Sequence, residues 1–219
     1  MERAADLRLF ELRDEGREAH EGKDVEITGL TSDSREVRPG FLFAALDGSR
    51  VRGADFIPEA LLNGAAAILA PPGTGLGDAA PDAAILIADE TPRRRFAEMA
   101  ARFFARQPNT VAAVTGTNGK SSTVTFIREL WRAGGLKAAS LGSLGVEGDG
   151  PTSAAALTTL DPVALHRTLA ALTEAGVARC ALEASSHGLD QYRLDGVRVT
   201  AAAFLNLTRD HLDYHRDLE

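Results

Sequence analysis

The chain has 219 residues, 44% of them apolar and 25% charged, and a formal net charge of −7. Those values fit one or two ordinary globular domains and exclude a general nucleic-acid binder, which would carry a basic face. No apolar run approaches the ~20 residues that span a bilayer, and the charged N-terminus has no apolar signal core, so the sequence reads as cytoplasmic with no membrane partner.

Cys180 is the single cysteine, which excludes an internal disulfide. It sits in an apolar run and reads as packed rather than reactive. Residues 1–26 are dense in both charge signs, and Leu7, Leu9, Phe10 and Leu12 suggest a short amphipathic helix. Residues 25–30 read as a strand. The polar cluster Thr31-Ser32-Asp33-Ser34-Arg35 follows, then the turn Arg38-Pro39-Gly40. Residues 41–46 read as a buried strand, and Asp47-Gly48-Ser49-Arg50 as a loop. A helix is expected over 57–63 with Gly64 just past its end. Short apolar strands follow at 65–70 and 83–88. Thr91-Pro92 starts a helix, cap then proline, whose apolar face is Phe96, Met99, Ala100, Phe103 and Phe104. Gln107-Pro108-Asn109 ends it. The expected boundary lies here, giving a small α/β domain over 1–108 and a second domain over 109–219.

The second domain opens with Val111-Ala112-Ala113-Val114, the pattern of a buried parallel strand. The tight turn Thr115-Gly116-Thr117-Asn118-Gly119-Lys120-Ser121 follows. A helical pattern then places Val124, Ile127, Leu130 and Trp131 on one face. Strand, glycine loop and helix N-terminus together make an anion site, because free N–H groups and the positive end of the helix dipole converge. Gly116 and Gly119 let the backbone approach a phosphate. Lys120 is suited to the outer phosphates of a nucleotide, and the Ser121 hydroxyl to Mg²⁺. The strict motif has glycine where Val114 stands, so G-x-x-G-K-S is a shorter relative. An ordinary β–α turn with a solvated lysine is the plain alternative; the flanking strand and helix favour nucleotide.

That helix should end at Gly134-Gly135. Residues 136–141 read as a strand and 142–156 as a loop of small residues. Asp161-Pro162 starts a further helix, closed by Gly176. Strands are expected at 179–184, carrying Glu183, and at 201–207, carrying Asn206. Alternating strands and helices make this an α/β protein with a mostly parallel sheet and right-handed crossovers. Ligands in such sheets sit at the carboxyl ends of strands, where the glycine loop, Glu183 and Asn206 all fall. A carboxylate there suits Mg²⁺; capping the next turn is the plain alternative, and the need of a phosphate loop for such a partner favours the metal. His211 and His215 are four apart, a zinc-like spacing, but no third ligand is evident. His20 and His166 have no such company and receive no role.

The phrases TGTNGKS, LEASSHGLDQYRLDGV and FLNLTRDHLDYH, in this order and spacing, resemble the Mur ligase family of peptidoglycan synthesis. The segment from Thr31 to Arg35, with FLFAALDGSR after it, resembles that family's UDP-binding N-terminal domain. The likeness covers essentially the whole chain. It implies a small α/β UDP-binding domain followed by a P-loop-type, mostly parallel-sheet domain that is incomplete here. It also implies an ATP-dependent, Mg²⁺-requiring ligase. The γ-phosphoryl of ATP passes to the D-Glu side-chain carboxylate of UDP-MurNAc-L-Ala-D-Glu, and the amine of a diamino acid, with meso-diaminopimelate preferred, attacks the acyl phosphate.

By that resemblance Gly116, Thr117, Asn118, Gly119, Lys120, Ser121 and Ser122 hold ATP. Ser121, Glu183 and His211 hold magnesium, and Lys120, Glu183 and His211 carry the chemistry. Ser32, Ser34, Ser49, Arg50 and Val51 contact the uridine diphosphate. Thr158, Thr159, Ser185, Gln191 and Arg193 hold the muramoyl peptide, Arg193 offering a fork to a carboxylate. A monomer is expected. Ser121-Ser122 replaces the family's paired threonines, and Leu157 and Leu160 stand where Asn and Pro are common. The family's carbamylated lysine and C-terminal domain have no counterpart in these residues, so the sequence reads as a fragment that binds the UDP end of the substrate without completing ligation. A non-catalytic nucleotide-binding module and a folylpolyglutamate synthetase are the alternatives; the UDP-site phrase argues against the latter.

Overall fold

The computed structural model describes residues 7–9, 25–48, 51–77, 84–154, 157–209 and 212–215. The chain divides into two compact units, Met1–Ala105 and Arg106–Glu219.

In the first unit β1 (Leu7–Arg8) pairs antiparallel with β2 (Glu26–Ile27). The amphipathic helix expected at this point is therefore a strand at Leu7 and Arg8, because pairing with a distant segment outweighs the local pattern; Phe10 and Leu12 lie outside the described residues. The single strand expected over 25–30 is two. The chain leaves β1 at Thr28, whose N–H donates to Gly40 O, and re-pairs as β3 (Gly29–Thr31). Then come β4 (Phe41–Ala44), helix α1 (Ile57–Leu62), β5 (Ala67–Ala70), β6 (Ile85–Ala88) and helix α2 (Pro92–Phe104). The sheet order is β3-β4-β5-β6, all parallel. Phe43, Ala45, Ile68 and Ala70 form one core with Ile57, Ala60 and Leu61 of α1. Helix α2 packs on β4 and β5 through buried Phe96, Met99, Ala100 and Phe103. Strand β5 is buried at every position and β4 at all but Phe41, so both need cover on both faces, which explains their unbroken apolar spelling. Each such Leu, Ile or Phe contributes roughly 1.5–3 kcal/mol when buried.

The second unit contains β7 (Thr110–Thr115), α3 (Lys120–Ala133), β8 (Ala138–Gly142), β9 (Gly145–Gly148), α4 (Pro162–Glu174), β10 (Arg179–Glu183), α5 (Ser186–Asp190), β11 (Ala201–Phe204) and α6 (Leu212–His215). The strand order is β11-β7-β10-β8-β9. All pairs are parallel except β8 with β9, a hairpin closed by Ser143 and Leu144. So 142–156 is not simply a loop. Its glycine-rich spelling hides a short strand that exists because β8 offers it an edge. Strand β11 stops at Phe204, two residues before Asn206.

Strand periodicity sorts the residues of this sheet by face. Val111, Ala113, Cys180 and Leu182 pack with Leu165, Leu169 and Leu172 of α4. Val114 and Ala181 pack with Val124 of α3, with Ile127 and Trp131 beside them. Leu130, expected in that stripe, is 72% exposed, while Arg128 is buried to 9%. Arg128 donates to Ser140 Oγ at 2.9 Å and to Glu147 at 2.7 Å, so the charge enters the helix–sheet interface already paired. The α3 and α4 ends follow their spelling: Gly134 caps the first, and Asp161 Oδ1 accepts from Ala164 N at the start of the second. Thr91 stands at the N-cap of α2 but makes no cap bond; Asp89 Oδ1 takes its N–H instead. Among the described residues no helix is long and apolar enough to cross a membrane.

Candidate active site

The turn from β7 into α3 holds Gly116 at φ 138° and Gly119 at φ 89°, left-handed values that favour glycine. Gly119 is the N-cap of α3 and offers no side-chain acceptor, so the first amides of the helix have no partner within it. Lys120 folds over this turn, with Nζ 2.6 Å from Gly116 O and 3.1 Å from Thr117 O. Ser121 and Ser122 occupy the first turn of α3 beside it.

The residues after β11 lock the turn. Asn206 Oδ1 accepts from Asn118 N and Asn206 Nδ2 donates to Asn118 O, both at 3.0 Å. Asn206 O accepts from Thr117 N at 3.0 Å. Thr208 N donates to Thr117 Oγ1 at 2.9 Å, and that hydroxyl donates to Thr208 O at 3.3 Å. A Cβ on Gly116 would stand 3.0 Å from Asn206 O, so the close approach of the two segments depends on glycine. The chain positions are 88 residues apart, and adjacency of β11 and β7 brings them together.

Glu183 ends β10 and is 2% exposed. Its register partner on β7 is Val114, the last buried residue before the glycine turn. It stands two residues after Ala181 and so shares its face, which puts the side chain on the α3 side of the sheet, where the phosphate loop opens. Its carboxylate accepts from Ser143 N at 2.8 Å and Ser143 Oγ at 3.3 Å. Ser143 Oγ is also 3.2 Å from Thr158 Oγ1. Among the described residues no three His, Cys, Asp or Glu side chains gather to hold a metal. One carboxylate beside hydroxyls and a phosphate loop is instead the donor set Mg²⁺ accepts, since it keeps water and phosphate oxygens as its other ligands. The loop amides and Lys120 ammonium likewise suit a nucleotide polyphosphate.

A second group lies at the same sheet end. Thr159 Oγ1 donates to Glu183 O and accepts from Ser185 N, both at 2.9 Å. Ser185 Oγ caps α5 by accepting from Gly188 N. Arg193 Nη1 donates to Thr159 O at 2.8 Å, and its Nε and Nη2 both donate to Gln191 Oε1. Thr158, Thr159, Ser185, Gln191 and Arg193 are thus one connected cluster. Leu157 is exposed, and Leu160 packs against the core.

In the first unit Ser32 and Ser34 follow β3, and Val51 lies in the loop after the neighbouring parallel strand β4. Ser32 and Val51 are exposed. Ser34 is buried, its hydroxyl donating to Glu59 of α1 and its carbonyl accepting from Asn63 Nδ2. Asp33 caps the 3-10 turn at Ser34–Glu36. The Arg35 guanidinium beside Asp33 holds its carboxyl below the usual carboxylate range. Gly53 N donates to Asp47 Oδ1 and closes the 47–53 loop. Ser49, Arg50 and His211 lie outside the described residues.

Sequence reasoning did not single out Ser143, Gly142, Thr208 or Tyr214. Each acts through a residue distant in sequence; Thr208 and Tyr214 lie within the phrase FLNLTRDHLDYH, but nothing local names their partners.

Two families of known proteins match this chain over most of its length. The Mur ligase family catalytic domain matches residues 26–104, and the Mur ligase middle domain matches residues 114–219. The chain is 51% identical over 195 residues to the UDP-N-acetylmuramoyl-L-alanyl-D-glutamate--2,6-diaminopimelate ligase of Rhizobium meliloti, an alignment covering 89% of this chain and 39% of that protein. It is 52% identical over 193 residues to the protein of the same name from Bradyrhizobium diazoefficiens, covering 87% and 38%. A solved structure of a ligase of that name superposes with TM-score 0.79 at 32% identity, covering 96% of this chain and 42% of that one. The chain spans about two fifths of the length of the curated relatives it matches.

Proposed function

From a chain that belongs to the Mur ligase family, we propose part of an ATP-dependent ligase that joins meso-diaminopimelate to UDP-MurNAc-L-Ala-D-Glu in peptidoglycan synthesis. The observation that carries this reading is Glu183: a buried carboxylate one strand from the phosphate loop, on the loop's face of the sheet, in a chain half identical to diaminopimelate ligases.

Bound ATP with Mg²⁺ would supply the γ-phosphoryl that activates the D-Glu side-chain carboxylate. Lys120 and the first amides of α3 hold the phosphate charge, where fixed donors contribute most. Ser121 and Glu183 would hold the metal, with His211 assigned beside them by family likeness. The carboxylate oxygen bonds to phosphorus and ADP leaves; the diamino acid's amine then bonds to the acyl carbon, and phosphate and a proton leave. Arg193, oriented by Gln191 and Thr159, binds a substrate carboxylate. Ser185 and Thr158 present hydroxyls to the peptide, and Ser32, Ser49, Arg50 and Val51 contact the uridine diphosphate. Ser34 supports that contact through Glu59. The reaction runs in the cytoplasm, where ATP is supplied.

The test is direct. The intact protein is incubated with ATP, Mg²⁺, UDP-MurNAc-L-Ala-D-Glu and meso-diaminopimelate, and products are read by mass. The UDP-linked tripeptide with one ADP and one phosphate per turnover is expected. Its absence, with the protein folded, overturns the proposal, and product with lysine but not diaminopimelate overturns the choice of amino acid.

A further inference from the structure

The Tyr214 hydroxyl joins the Arg193 cluster from the outside. It accepts from Gln191 Nε2 at 3.2 Å and donates to Asp190 Oδ2 at 2.6 Å. The Gln191 amide is then polarised in one sense only. Its oxygen faces Arg193 Nε and Nη2, and its nitrogen faces Tyr214. A flipped amide would set an N–H against a guanidinium that has only donors. The Tyr214 ring is held as well, 4.1 Å from the His187 ring and 4.8 Å from the His215 ring between centroids. Tyr214 stands on α6 while Asp190, Gln191 and Arg193 lie in and just after α5, so the chain of bonds Asp190–Tyr214–Gln191–Arg193–Thr159 crosses two elements.

We infer that Tyr214 is a positioning residue: through Gln191 it aims the Arg193 guanidinium at the substrate carboxylate. This rests on the proposed function. Among the described residues the hydrogen bonds and ring contacts of Tyr214 run to Asp190, Gln191, His187 and His215, which places its influence at the peptide end. Asp190 is the acceptor that directs the hydroxyl proton away from Gln191, leaving a lone pair for the amide. Tyr214→Phe keeps the ring contacts and removes both hydroxyl bonds, to Gln191 and to Asp190.

The experiment is calorimetric titration of the intact protein with three ligands: UDP-MurNAc-L-Ala-D-Glu, UDP alone and Mg-ADP. Tyr214→Phe is expected to weaken the dipeptide ligand by about fivefold, the size of one net hydrogen bond, with UDP and Mg-ADP affinities unchanged. Asp190→Ala is expected to follow Tyr214→Phe, and Asp190→Asn, which keeps an acceptor, to restore wild-type binding. Unchanged dipeptide affinity in Tyr214→Phe overturns the inference, as does an equal loss of Mg-ADP binding, which marks a structural defect. Wild-type protein that binds UDP and Mg-ADP but gains nothing from the dipeptide overturns the proposed function, and the inference with it.

Discussion

A Cβ atom on Gly142 would stand 2.0 Å from Glu183 Oε1, so the missing side chain is the space in which that buried carboxylate lies. The two are on neighbouring strands β8 and β10 and on the same face. Gly142 is not among the glycines with left-handed φ, so the obstacle to a side chain is steric alone. Gly142→Ala should cost about 1–3 kcal/mol of stability, the usual cost of overpacking. It should also raise the Mg²⁺ concentration needed for half-maximal turnover. Adding Glu183→Asp, which shortens the carboxylate, should recover part of the stability. Denaturant titration of both singles and the double gives the coupling; strict additivity would show that the two residues do not contact.

Lys120→Ala should lower turnover by about 10²–10³, the loss expected for one donor aimed at developing charge. Its present partners are carbonyls of the loop itself, Gly116 O and Thr117 O, so folding loses little. The measurement is steady-state turnover beside calorimetric binding of the UDP-linked dipeptide. Binding should stay within about twofold, because the proposed uridine contacts lie in the other unit.

Asn206→Ala removes both side-chain bonds to Asn118. Stability should fall by about 1–3 kcal/mol, two net hydrogen bonds. Mg-ADP should bind about tenfold more weakly, since the loop must then be ordered by the ligand. Asn206→Asp should restore only the bond to Asn118 N. An ADP affinity equal to wild type would show that the loop holds its shape unaided.

Burial pushes His166 below its ordinary value of 6.5, its Nε2 lying 3.1 Å from Asp195 O. The folded state therefore resists protonation more than the unfolded chain does. The stability contributed by the neutral ring is present above 6.5 and is lost as pH falls through the folded value. Denaturation midpoints should drop on acidification, and His166→Gln should flatten that slope. An unchanged slope would assign the acid sensitivity to other groups.

Burial also raises the Cys180 thiol to about 12, so it should stay silent to a thiol reagent near neutral pH until the protein unfolds. Stoichiometric labelling of the folded protein would contradict the packing described.

What the sequence determined by itself is what short range decides. The phosphate loop was legible because strand, glycines, lysine and helix start are contiguous, and each residue has a local reason. The starts of α2 and α4 were legible from Pro92 and Pro162, and the end of α3 from Gly134. The alternation of apolar strands and helices determined a parallel α/β fold. The tertiary structure alone decided which of these pieces meet. Periodicity tells which residues share a face but not what that face touches: Leu130 is exposed, and Arg128, beside the apolar stripe, is buried on Ser140 and Glu147. Strand β9 has no signature of its own and exists because β8 offers an edge. The pairings Asn118 with Asn206, Gly142 with Glu183 and Tyr214 with Asp190 follow from the order β11-β7-β10-β8-β9 and from the docking of α6 on α5. Hydrogen bonds and steric fits of that kind act over a few ångströms between residues far apart in the chain, and only the folded arrangement makes them neighbours.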